Sequence, residues 1–327
     1  MRLHITVVSI LFCSVTGLGR AELSHVQTNP IGTFVGTTPV NAELLQFLGA
    51  SPATTAELIE WSLSFTSSSQ YALRAAYGQT QPNFPGIQRD RHEVARKGTW
   101  SARKGTKWSP TEDVVDLGGL AFVRVGPYVL HVLSADRSLM TGNGSWSFSL
   151  NRTDVTEPAV DPSLPSTLGP GGSYTLSPIS TGPTVYGVFE GRTPCQGVAR
   201  LLARTVAPGC PKLKFRLTLY RNPDNRRPTT FKLEGTLYRS DRVEGPFTVS
   251  DKGVITLESQ NRTTLISLLK VSDDAVMFLD QSGNLLVGNA SFSYTLERRK
   301  SPGAGARGHV VSPRGVLFLS GEHVSHF

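Results

Sequence analysis

The chain has 327 residues, more than a single hydrophobic core usually serves, so two domains are expected. With 39% hydrophobic and 18% charged residues it has the balance of an ordinary globular protein, which excludes a disordered chain and a helical membrane bundle. The formal charge is +8, but Arg2 and Arg20 sit in the leader, and Arg299, Lys300, Arg307 and Arg314 face only Glu322 near the other end; the body between is too mildly basic to suggest nucleic acid.

Arg2, the apolar run Ile5 to Val15 and then Gly19-Arg20-Ala21 form a signal peptide over 1–21, cleaved after Ala21. The run is too short to span a bilayer, and no later stretch is long enough. A soluble exported protein, periplasmic or extracellular, follows, with membrane association at most peripheral. Acylation of Cys13 is the competing reading, but Leu11-Phe12 supplies no small residue for lipid attachment.

From residue 30 the chain enters a unit that occurs twice. Gly32-Thr-Phe34-Val-Gly36-Thr-Thr38-Pro39 opens it, followed by an apolar stretch, Ala42 to Leu48, that predicts a short helix closing one end. Trp61-Ser-Leu63-Ser-Phe65 alternates as a strand with one buried face, and further strands are predicted at 70–77, 93–101, 113–117, 120–125 and 128–134. The bases Arg89, Arg91, Arg96, Lys97, Arg103, Lys104 and Lys107 read as the solvated side of a hairpin, or as a surface for an acidic partner. Gly142 to Arg152 ends the unit, with Trp146, Phe148 and Leu150 on the core face and Ser145, Ser147 and Ser149 on the other. This first unit spans 30–152.

Residues 153–183 hold six prolines and four glycines, a composition that predicts a semi-rigid linker allowing the two units to move relative to each other. The second unit, 184–298, repeats the first: Gly187-Val-Phe189-Glu-Gly191-Arg-Thr193-Pro194 matches the opening, Phe215-Arg-Leu217-Thr-Leu219 matches Trp61 to Phe65, and Gly288 to Arg298 matches Gly142 to Arg152. Gly98-Thr99-Trp100 is matched to Gly235-Thr236-Leu237. A helix is predicted over 198–206, and strands at 229–237, 244–249, 252–258, 263–271 and 275–280. Short strands at this spacing indicate a sandwich or an up-and-down barrel. The basic tail, 299–327, is expected to be disordered.

Cys195 and Cys210 are an even pair in an exported chain and read as a disulfide; a metal or redox pair competes, weakened by the absence of a Cys-x-x-Cys. The first unit has Val40 and Thr55 there instead. No two histidines stand at a ligand spacing, and His131, in an apolar strand, reads as a satisfied structural residue. No catalytic, cofactor-binding or metal motif is visible: Asp273-Asp274 lies in a turn, and no Lys-Ser or Lys-Thr follows the glycine-rich opening. Sequons at Asn143, Asn151, Asn261 and Asn289 would be surface glycan acceptors in a eukaryotic export pathway.

Gly187, Phe189, Gly191, Pro194, Cys195 and Gly197, with the turn Leu279-Asp280-Gln-Ser-Gly283-Asn284 near the end of the unit, resemble the N-terminal domain of the NlpE family of bacterial envelope proteins. The resemblance covers 184–298 and reaches the first half only through the internal repeat. It implies a lipocalin-like β-barrel, hence two tandem barrels, and a role in copper homeostasis, adhesion or envelope-stress signalling. The family's Cys-x-x-Cys is lost here, since Gln196-Gly197 follows Cys195, and with it the basis for metal binding. The expectation is a non-enzymatic exported binding or signalling module whose partner is an envelope or extracellular protein or a small ligand. A lipocalin-like carrier of an apolar ligand and a secreted inhibitor are the alternatives.

Overall fold

The computed structural model describes residues 30–299, apart from 52, 82–83, 143, 156–176, 205, 207–209 and 236–237. The expected signal peptide, most of the expected linker and the tail from residue 300 lie outside the described residues. The rest is all-β, with two short helices and one turn of 3-10 helix after the last strand of the first half.

The first half runs β1 (Gly32–Pro39), α1 (Ala42–Leu48), β2 (Leu58–Phe65), β3 (Gln70–Gln79), β4 (Arg89–Thr99), β5 (Ser101–Lys104), β6 (Asp113–Asp116), β7 (Ala121–Arg124), β8 (Val129–Leu133) and β9 (Ser149–Arg152). The second runs β10 (Val185–Thr193), α2 (Cys195–Leu201), β11 (Leu213–Arg221), β12 (Pro228–Gly235), β13 (Tyr238–Val249), β14 (Val254–Glu258), β15 (Thr264–Lys270), β16 (Ala275–Leu279) and β17 (Thr295–Arg298). Neighbouring strands are antiparallel, and the second half closes into an eight-stranded barrel in which β17 returns to β10.

The expected closed barrel in the first half is corrected: it is a curled nine-stranded sheet whose edges are β4 and β5. These edges are consecutive in the chain and separated only by Trp100, which is buried in the core with its ring 5.3 Å from Phe65. The ladder is interrupted at this one residue, whose N–H bonds the Ser69 carbonyl at 2.9 Å, whereas β13 runs through the same bend unbroken. The registers identify the counterpart of Trp100. Gly98 faces Tyr71 as Gly245 faces Phe231, so Trp100 corresponds to Phe247, also buried. The match of Gly98-Thr99-Trp100 to Gly235 and its neighbours is thereby corrected, because Gly235 pairs with Phe215 as Ala75 pairs with Trp61.

Each half has its own interior. Phe34, Phe65, Trp100, Phe122 and Phe148 fill the first together with Leu44, Phe47 and Leu48 of α1; Phe189, Phe215, Phe231, Phe278 and Tyr294 fill the second. A fully buried leucine such as Leu44 contributes about 2 kcal/mol by removal from water. Gly36 and Gly191 sit where the closing strand crosses the first: a Cβ on either would lie 2.6 Å from the Ser149 carbonyl or 2.5 Å from that of Thr295. The helices differ in how they begin. Asn41 caps α1 through its side chain, while α2 begins at Cys195, behind Pro194, three residues before the predicted start. Proline presets the backbone for entry into a helix and so moves the boundary forward.

The two halves meet in a buried seam with approximate two-fold symmetry, while most of the expected linker, 156–176, lies outside the described residues. Ser147 meets Ser293 at 2.5 Å, Ser149 meets Thr295 at 2.9 Å, and the rings of Trp146 and Phe292 stack 6.3 Å apart. Each of these residues touches its own counterpart, the mark of an isologous contact made here within one chain. The serine face of the last strand, expected to meet water, faces the other half instead. Reciprocal bonds flank it: Gly288 N donates to Asn151 Oδ1 at 2.9 Å, while Gly142 N and Phe148 N donate to the Glu297 carboxylate. Asn151 Nδ2 also donates to the Asn289 carbonyl at 3.1 Å. Asn151 and Asn289 are therefore buried and not surface glycan acceptors; Asn261 is exposed and Asn143 lies outside the described residues.

Beside the seam is a third core. Val114, Val123, Val125, Val129, Leu133 and Leu139 of the first half pack with Ala275 and Met277 of the second. Strands β8 and β16 are consequently buried on both faces. Their runs, Val129-Leu-His-Val-Leu133 and Ala275-Val-Met-Phe-Leu279, lack the alternation of a half-solvated strand, and that signal points to burial on both sides.

Candidate functional site

The candidate site is a cleft of about 640 Å³ on the outer face of β2, β3 and β4, beside the seam. Side chains alternate along β2 and β3, so while Trp61 and Leu73 point into the core, Glu60, Ser62 and Arg74 point out and form the floor. Pro85 and Gly86 form one wall, Arg91 and Glu93 of β4 another, and Ala290 and Ser291 of the second half the far rim. That rim is fixed by the Thr37 hydroxyl, which donates to the Ala290 carbonyl at 2.7 Å. Arg91 pairs with Glu60 at 2.7 Å, and Glu60 also accepts from the Ile87 backbone N–H at 2.9 Å. Arg74 is exposed on the floor and makes no ion pair among the described residues.

The equivalent surface of the second half is covered. Registers place Lys214, Arg216 and Glu234 where the first half has Glu60, Ser62 and Arg74. Across them lies Ser177–Pro183. The Ser177 hydroxyl donates to Glu234 at 2.5 Å, Lys232 donates to that hydroxyl at 3.1 Å, and Arg216 holds the Ser177 carbonyl while pairing with Glu190 at 2.5 Å. Ser180 meets the Tyr220 hydroxyl at 3.1 Å, and Arg221 Nε donates to the Pro183 carbonyl at 3.3 Å.

No family model, curated protein or solved structure matches the chain. What the site can do is argued from its own chemistry. The residues lining the cleft include the hydroxyls of Thr37, Ser62 and Ser291 but neither a histidine nor a cysteine, and its carboxylates Glu60 and Glu93 face Arg91. A floor of this kind can orient a ligand by charge and hydrogen bonds.

The residues singled out by sequence lie elsewhere and are structural. Cys195 and Cys210 form a disulfide with Cα atoms 6.1 Å apart, tying α2 to the segment before β11. Phe189 is fully buried in the barrel, Gly191 lies under the closing strand and Pro194 leads into α2. Gly197 packs on Tyr294, whose hydroxyl accepts from the Gly197 N–H at 2.8 Å, and Gly187 lies against Arg298 and Phe189. These positions hold α2 and β10 onto the barrel, and none lines the cleft.

His131 is fully buried at the seam, not at a barrel mouth. Burial pushes its pKa down to about 4, opposed by the hydrogen bond to the Met140 carbonyl. A carbonyl only accepts, so Nε2 carries the proton, and Nδ1 accepts from the Ser149 hydroxyl at 3.0 Å. His92 stacks on Tyr77 on the exposed strand β4, with ring centres 5.2 Å apart. The basic cluster is largely neutralised on its own surface, Arg103 by Asp116, Lys104 by Asp113 and Lys107 by Asp136, which favours the solvated-hairpin reading. Asp273 and Asp274 pair with Lys270 and Arg298. Among the described residues no three His, Cys, Asp or Glu side chains gather as a metal cage. No helix among them is long and apolar enough to cross a membrane.

Sequence reading missed the cleft. Its floor residues Glu60, Ser62 and Arg74 belong to no motif and become neighbours only through the register of β2 on β3.

Proposed function

We propose that this protein is an exported, non-enzymatic recognition module of NlpE-like, lipocalin-related build that binds its partner on its outer surface. One observation carries the reading: both interiors are occupied by aromatic side chains, while a cleft of about 640 Å³ opens on the outside. An interior packed at core density leaves a carried apolar ligand no room without displacing those rings. The disulfide favours an oxidising compartment and takes both thiols of the second half out of use as soft copper ligands. The partner class is an envelope or extracellular protein.

The test is titration of the oxidised protein with copper(I), copper(II) and a fluorescent fatty acid, followed by calorimetry and fluorescence. Neither copper ion nor fatty acid is expected to bind stoichiometrically at sub-micromolar concentration. Such binding by the fatty acid would replace the reading with that of a carrier, and by copper with that of a metal-handling protein.

A further inference from the structure

We infer that the open cleft of the first half seats an extended peptide segment of a protein partner, with an Asp or Glu side chain of that segment paired to Arg74. The inference rests on the recognition reading above and supplies its ligand chemistry. It starts from the comparison of the two equivalent faces. In the second half the face made by Arg216, Lys232 and Glu234 is occupied by Ser177, gripped by a carboxylate acceptor and a guanidinium donor, and the chain runs on from there over Tyr220 and Arg221 to Pro183. The first half has the same strands in the same register, with a rim from the opposite half in the same place, and its face is open.

Three substitutions set what would fit. Arg74 stands where Glu234 accepts from the Ser177 hydroxyl, so an acceptor on the floor has become a cationic donor. Ser62 stands where Arg216 reaches across the chain, which removes a long side chain and widens the cleft. Ala72 stands where Lys232 lies, again opening space. On the β4 side Arg91 is shared by Glu60 at 2.7 Å and Glu93 at 3.4 Å, which leaves Arg74 as the floor charge that has no ion pair among the described residues. A planar guanidinium at the bottom of a half-enclosed cleft suits a carboxylate, which it can hold through two parallel N–H donors. Walls from Pro85-Gly86 on one side and Ala290-Ser291 on the other leave room for an extended backbone. Strands β2 and β3 are each paired on both sides, so the segment lies across the face and does not extend the sheet.

The probe is a fluorescein-labelled octapeptide copying residues 177–184, Ser-Pro-Ile-Ser-Thr-Gly-Pro-Thr, with glutamate in place of the first serine; a second carries lysine there. Binding to the full mature chain is read by fluorescence anisotropy. The glutamate peptide is expected to bind saturably and the lysine peptide at least about tenfold more weakly, with Arg74→Glu reversing that order, since like charges in a confined site repel. Ser62→Trp, which fills the cleft from its floor, should abolish both. Arg74 is exposed, so its variant should keep the wild-type circular dichroism and melting profile. Equal binding of both peptides to both proteins, or no binding of the glutamate peptide up to millimolar concentration, overturns the inference. Binding that emerges only after residues 22–29 are removed also overturns it, because the cleft then belongs to the chain's own N-terminal segment. Uptake of copper or fatty acid would sink the recognition reading without moving these peptide affinities, so the two failures are distinguishable.

Discussion

In the first half α1 is held by local hydrogen bonds: Asn41 Oδ1 accepts from the Leu44 N–H at 2.8 Å, and Gly49, at φ 74°, closes the other end. In the second half α2 has no side-chain cap at its N-terminus and is tied down by the Cys195–Cys210 bridge. The outer faces diverge in the same way. Glu234 and Arg216 bind the chain's own Ser177, while Arg74 and Ser62 are left to solvent. One architecture thus tolerates different solutions wherever the requirement is only that a helix end or a polar face be satisfied. Where the halves touch, the residues differ too, as Asn151 and Glu297 do, but each must fit its opposite directly, as Ser147 fits Ser293 and Ser149 fits Thr295.

The sharpest way to break the comparison is at the seam. Glu297→Ala should cost about 3–5 kcal/mol, since it strands the Gly142 and Phe148 N–H groups in a buried site, whereas Asn151→Ala, its counterpart, removes a neutral acceptor and should cost about 2 kcal/mol. Urea denaturation followed by tryptophan fluorescence checks both. All four tryptophans lie in the first half, so fluorescence follows that half alone while far-ultraviolet circular dichroism follows the strands of both, and a separate transition of the second half appears as the part of the dichroism change that fluorescence misses. If the variants cost the same, the carboxylate is not carrying its share of the seam.

Next in size is the bridge. Replacing both cysteines by serine should destabilise the second half by about 3 kcal/mol through release of the closed loop in the unfolded chain. Coincident loss of the fluorescence and dichroism signals would show that the seam couples the halves into one transition.

Acid should act on the first half's side of the seam. The native His131 takes up its proton near pH 4, while an unfolded histidine does so near 6.5, so the unfolded state binds the proton first as pH falls. The stabilisation is complete above about pH 6.5 and is lost towards pH 4, an effect on the order of 3 kcal/mol. Strand registers place Met277 at the equivalent position, and His131→Met should flatten the stability profile between pH 4 and 6.5. A persistent slope in that variant would assign the titration to another group.

The smallest expected effect belongs to the cap. Asn41→Ala should cost about 1 kcal/mol by freeing the Leu44 N–H, and the loss should stay in the first half. Thermal melts of this variant beside the cysteine variant compare the two ways of holding the helix.

Much of this fold is legible in the amino-acid sequence. The internal repeat, the all-β character, helix α1 from Ala42 to Leu48, most strands and the pairing of Cys195 with Cys210 follow from periodicity, turn residues and cysteine count, because strand and helix patterns depend on neighbours within a few residues. Three features were decided only in three dimensions. The first ring is open at Trp100, a place set by the register of β4 on β3, while the second, with Phe247 buried at the equivalent position, is closed. The serines of the last strands are buried because the other half supplies matching hydroxyls, and a polar side chain gives the same local pattern whether water or a partner meets it. The cleft exists because Glu60, Ser62 and Arg74 line up across β2 and β3 under a rim more than two hundred residues away at Ala290, a proximity set by strand pairing and by the packing of one half on the other.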